Sequence, residues 1–144
     1  MRAHAAVAVL IVMPLAACGG GLSKSELVAK GDAICKRVNQ AVAKEPDPQT
    51  AADLEKLAQK TVKISGPAID DMEALEPPGD LEKDFDAFVA SLKKQRDLTQ
   101  DIGEAAGKGD SAAIQKAGSE AQKAQAEYNR LSEKIGFKEC GGGS

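Results

Sequence analysis

The chain has 144 residues, 42% hydrophobic and 28% charged, with a net charge of −3, which fits one modest globular domain. It carries no Trp, one Tyr, three Phe and a single histidine, His4. His4 falls in a segment read below as cleaved, so the working domain has no imidazole for acid–base catalysis, a nucleophile triad or a His-ligated metal, and too few aromatic rings for base stacking.

Met1-Arg2 gives a short positive start, Ala5 to Val12 is an apolar run, and Pro14 breaks it. Leu15-Ala16-Ala17-Cys18 follows, then three glycines. A basic start, an apolar stretch and small residues before a cut describe a secretory signal peptide, and the stretch is too short to span a bilayer. Leu15-Ala16-Ala17-Cys18 resembles the bacterial lipobox, which implies cleavage before Cys18, lipid on its sulfur and an acylated amine. The expected domains are therefore residues 1–17 as a cleaved lipoprotein signal, 18–22 as a Gly-rich tether, 23–140 as a helical bundle and 141–144 as a flexible tail. The lipid on Cys18 would fix the protein to the cell membrane, facing the extracytoplasmic side. Cleavage removes Arg2 and no acid, so the mature chain is more acidic still and has no electrostatic reason to bind nucleic acid.

Cys35 and Cys140 are the two cysteines left in an oxidising compartment, and an even pair there reads as a disulfide. There is no CxxC spacing to suggest a redox motif or a cysteine metal site.

Four helical patterns follow. Ser23-Lys24-Ser25-Glu26 is a capping box that opens the first, and its apolar spacing runs to Lys44, where Glu45-Pro46-Asp47-Pro48 stops it. Thr50 caps the second, which runs to Leu75, with a kink or break expected at Gly66-Pro67. Pro77-Pro78-Gly79 ends it, and Asp80 is the expected cap of the third, whose stripe is Leu81, Phe85, Phe88, Val89, Leu92, Gln95, Thr99 and Ile102. Asp110 caps the fourth. Its seam of Ile114, Ala117, Ala121, Ala124, Tyr128, Leu131 and Ile135 alternates steps of three and four, and Gly136 suits the end of the helix.

The fold class expected is all-α, an up-down-up-down four-helix bundle with one disulfide from helix one to the C-terminal tail. Cys35 lies about twelve residues up helix one, roughly 18 Å. The tail from Gly136 must then fold back along the bundle with Phe137 packed inward, or else Gly31 must break helix one.

Gly31-Asp32-Ala33-Ile34-Cys35, Leu75-Glu76-Pro77-Pro78 and Gly136-Phe137-Lys138-Glu139-Cys140 resemble small exported proteins of actinobacteria. In those an A-D-x-I-C start, an L-x-P-P turn and a closing G-x-x-x-C frame a helical domain. The resemblance implies fold and location and carries no activity. Gly31 stands where Ala is commoner, a departure read as minor.

Among candidate sites the first is a polar layer. Pairing the second and third helices about their turn sets Thr61 level with Gln95 and Leu57 with Thr99. Ala117, Ala121 and Ala124 meet the same levels from the fourth helix. Thr61, Gln95, Thr99 and Ala121 could line a cavity for a small apolar or amphiphilic ligand; close helix approach at the alanines is the plainer reading. Asp70, Asp71 and Glu73 lack the spacing of a calcium loop and read as a solvated helix end. Tyr128 reads as core with its hydroxyl near the surface.

No residue is assigned as catalytic, no metal ligand is named, and no cofactor is expected. The leading expectation is a non-enzymatic interaction or structural module of the cell envelope, with an envelope protein as partner. The alternative is a lipoprotein that holds a small apolar ligand between its helices. A cavity above about 300 Å³ bordered by Thr61, Gln95 and Thr99 would favour the second.

Overall fold

The computed structural model describes residues 21–141, so Cys18, the signal segment and the last three residues lie outside the described residues. Four helices pack as an all-α bundle: α1 (Lys24–Val42), α2 (Ala51–Glu73), α3 (Glu82–Gly107) and α4 (Ser111–Ile135). Consecutive helices are neighbours in space, because the links between them are short. None of the described helices is long and apolar enough to cross a membrane.

The helix starts follow local chemistry. Ser23 accepts a hydrogen bond from the Glu26 N–H while the Glu26 carboxylate accepts from the Ser23 N–H, closing the capping box. Thr50 and Asp53 repeat this at α2. Asp110 accepts from the Ala113 N–H at α4. At α4's end Gly136 takes the left-handed conformation, φ 102°, that lets the chain turn sharply out of the helix.

One helix start differs from expectation, and of the kink or break expected at Gly66-Pro67 the break does not occur. α2 runs unbroken through Gly66 and Pro67. Pro67 is exposed, so its ring and the carbonyl it leaves without a partner face solvent, where water satisfies the backbone. Asp80 does not cap α3: the N-cap is Leu81, which makes no side-chain cap bond. Leu81 is buried, and its N–H donates to the Pro78 carbonyl across the turn, so burial of an apolar side chain sets where this helix begins.

The core gathers Leu27, Met72, Phe85, Phe88, Leu131 and Ile135 with Tyr128 and Phe137. Phe88 is its centre, with ring centroids 5.3 Å from Tyr128 and 4.9 Å from Phe137. Leu98 and Ser132 are also buried, although neither lies on the stripes read from spacing.

The tail folds back and helix one stays whole. Cys35 and Cys140 are joined by a disulfide, their Cα atoms 5.1 Å apart. The Asp32 carboxylate accepts the N–H groups of both Lys138 and Glu139, and Asn39 donates to the Glu139 carbonyl. Phe137 lies over Gly31: a Cβ on that glycine would come within 2.8 Å of the ring's Cζ. Gly31 is thus no minor departure, since alanine there would displace the ring that closes the core.

Candidate functional site

A half-open cleft of about 380 Å³ lies between α1 and the other three helices. Ile34, Cys35, Val38 and Asn39 of α1 form one side, Thr61, Ser65, Ala68, Ile69 and Met72 of α2 another. Leu92, Gln95, Arg96 and Thr99 come from α3, and Gln125 and Tyr128 from α4, with Cys140 and Gly141 at one end. Ala68, Ile69, Met72 and the disulfide are buried at its base, whereas Asn39 is exposed at its rim. Cys140 and Gly141 of the returning tail complete the lining alongside the residues of α1 and α4.

Thr61, Gln95 and Thr99 therefore meet in one cleft, as their levels predict. Ala121 does not join them; it is half-buried and outside the lining. Its neighbour in the seam, Ala124, lies along a separate hollow with Ala87 and Ala90. The pairing argument placed the level correctly and the side of α4 wrongly. α4 turns Gln125 and Tyr128 toward the cleft, and α1 supplies the wall assigned to the alanines. Sequence reading missed Ser65 and the α1 residues. The Ser65 signal was present, since Ser65 follows Thr61 by four residues on the same helix face.

The polar groups differ in how they are satisfied. Thr99 Oγ1 donates to the Gln95 carbonyl at 2.9 Å and Ser65 Oγ to the Val62 carbonyl at 3.3 Å, so both hydroxyls are turned onto their own helices. Gln95 Nε2 is covered and has no acceptor on the protein within reach. Arg96, the one charged residue in the lining, bonds the neighbouring Asp97 carboxylate through Nε and Nη2.

Tyr128 departs from expectation. Its hydroxyl is not near the surface but packed beside the disulfide, 3.9 Å from Cys35 Sγ. Burial pushes the phenol up to about 12, with Ser132 one turn on partly offsetting this and the Asp32 charge adding to it.

Elsewhere the acidic cluster is a set of surface ion pairs. Arg37 pairs with Asp71 across α1 and α2, and Lys93 with Glu73 across α2 and α3. No group of three or more potential ligands among the described residues is placed to hold a metal ion. The exposed carboxylates of Glu26, Asp53 and Glu127 are held below their ordinary range, by hydrogen bonds from Ser23, Thr50 and Arg130 respectively. An acid kept protonated for proton transfer needs the opposite shift.

Comparison with protein-family models, with curated proteins and with solved structures finds no match to this chain.

Proposed function

We propose that this protein is a membrane-anchored extracytoplasmic lipoprotein, tethered through acyl chains on Cys18, whose helical bundle is a non-enzymatic interaction module of the cell envelope. The observation that supports the reading is how the chain enters the bundle. The Leu22 N–H donates to the Glu76 carbonyl at 2.8 Å, and Gly21 lies so close to Pro77 that an added Cβ would sit 2.8 Å from its carbonyl oxygen. The tether is therefore pinned to the α2–α3 turn as soon as it reaches the domain. Only Gly19 and Gly20 separate Gly21 from Cys18, a reach of about 10 Å at ~3.3 Å per residue.

A lipid on Cys18 would hold the α2–α3 turn against the membrane and raise the α1–α2 and α3–α4 links above it. A firmly held bundle with one end outward suits contact with another envelope component. Chemistry is not part of the reading, because no histidine follows His4 and the shifted carboxylates are shifted down.

The test is expression of the full chain in a bacterium fed labelled palmitate. The wild-type chain is expected in the membrane fraction carrying label, and Cys18→Ser is expected unlabelled in the soluble fraction. An unlabelled, soluble wild-type chain overturns the proposal.

A further inference from the structure

We infer that the docked tether gates the modification of Cys18: once Gly21 and Leu22 are seated on the α2–α3 turn the bundle is a poor substrate, and lipid is attached before that seat forms. The inference rests on the acylation proposed above and adds when it can occur.

Three contacts make the seat. The Leu22 N–H donates to the Glu76 carbonyl at 2.8 Å. The Leu22 side chain is half-buried and packs against the core, as does that of Leu75 in the same turn region. Gly21 lies flat against the turn: a Cβ there would stand 2.8 Å from the Pro77 carbonyl oxygen and 3.4 Å from that of Glu76. Both are backbone atoms that cannot swing aside. Ser23 then caps α1 directly, so the seat is continuous with the bundle.

Reach decides what the seated tether permits. Three peptide links join Gly21 to Cys18, about 10 Å when fully extended. That crosses the headgroup layer of one leaflet, roughly 5–8 Å, so an attached lipid and a seated tether coexist. An enzyme acting on Cys18 needs more chain, because it must hold an extended peptide on both sides of the cysteine within its own walls. A bundle two helix diameters across, roughly 20 Å, stands in the way at Gly21. Releasing Gly21 and Leu22 lengthens the free stretch to about 17 Å, ending at Ser23.

The gated step consumes a membrane phospholipid. The Cys18 thiol loses its proton, its sulfur bonds to a carbon of the donor's lipid portion, and the donor's phosphate leaves on the broken carbon–oxygen bond with a proton. Opening the seat costs one backbone hydrogen bond and the burial of one leucine, so the gate slows this step by about tenfold and does not bar it.

The test makes the full chain by cell-free synthesis with mildly solubilised bacterial membranes, whose phospholipid carries labelled palmitate. The membranes are present during synthesis or are added only after the bundle has folded and oxidised. Wild type is compared with Gly21→Val, which cannot seat, and with a chain carrying a flexible Gly-Ser spacer between Gly20 and Gly21. With membranes present during synthesis, the three chains are expected to take up label at the same rate. With membranes added after folding, wild type is expected to label about tenfold more slowly than either variant. The spacer leaves the bundle's own sequence untouched, so it decides should Gly21→Val misfold. Equal labelling of the folded wild type and the folded spacer chain overturns the gate and leaves the acylation standing. No label on any chain in either order overturns the acylation and the gate together.

Discussion

At the scale of single residues, Gly31 and Gly66 show how position decides what a glycine does. Both sit inside helices, where replacing glycine by alanine ordinarily stabilises by about 0.5–1 kcal/mol. Gly66 has no neighbour from elsewhere in the fold within 4 Å of where a Cβ would stand, but Pro67 follows it and a Cβ would crowd the proline Cδ, so Gly66→Ala is expected to leave the unfolding midpoint in urea little changed. Gly31→Ala drives a methyl into Phe137 instead, and Phe137 cannot retreat because Phe88 backs it. A loss of about 1–3 kcal/mol is expected in the same assay. An unchanged or higher midpoint for Gly31→Ala would show that Phe137 is not seated there. Tyr128 gives a residue-scale prediction in pH. The folded state holds its proton up to about 12, whereas an unfolded tyrosine releases it near 10. The contribution is complete below about pH 10 and lost as pH rises from there toward 12, because the unfolded chain ionises first. Urea midpoints across that window are expected to fall more steeply for the wild type than for Tyr128→Phe.

Among the elements, the returning tail depends on one side chain of α1. Asp32 accepts the backbone N–H groups of both Lys138 and Glu139. Asp32→Ala is expected to cost about 1–2 kcal/mol and to speed hydrogen exchange at Lys138 and Glu139, while Asp32→Asn keeps an acceptor and loses less. Equal exchange rates in wild type and Asp32→Ala would remove the clasp. The caps of α1 and α2 carry an acid dependence of defined sign. Glu26 and Asp53 are held below their ordinary range by hydrogen bonds from their capping partners. Their contribution is present above the ordinary carboxylate range and declines as pH falls through the lowered folded values. Ser23→Ala together with Thr50→Ala is expected to flatten the low-pH limb of the stability curve. These elements were largely legible in the sequence, because capping boxes, turn prolines and the closing glycine act within a few residues. The cap expected of Asp80 was misjudged, and of the kink or break expected at Gly66-Pro67 the break does not occur, because exposure of Pro67 and burial of Leu81 are tertiary facts.

For the whole molecule, the disulfide closes a sequence separation of 105 residues and ties the tail to α1. In the chain-entropy model a loop of that size stabilises by up to roughly 4–5 kcal/mol. Cys35→Ala with Cys140→Ala is expected to lower stability by a large part of that, read as a shift of the urea midpoint. A shift below about 1 kcal/mol would mean that the Asp32 clasp and Phe137 hold the tail unaided. The variant is also expected to exchange amide hydrogens faster from Gly136 to Gly141, since two of the cleft's walls, Cys140 and Gly141, belong to that segment.

By itself the sequence determined the helix count, three of the four helix caps, the pairing of Cys35 with Cys140 and the level at which Thr61, Gln95 and Thr99 meet. Each follows from short-range spacing or from cysteine arithmetic, which leave a direct trace in the order of residues. Only the tertiary structure decided which side of α4 faces that level, that α1 forms a wall of the cleft, and that the Gln95 Nε2 and Ser132 Oγ atoms are covered without a partner. Those depend on helix rotation and on how the returning tail completes the lining alongside α1 and α4. Rotation is set by the fit of Phe137, Phe88 and Gly31 across more than a hundred residues of chain, a contact that no local pattern records.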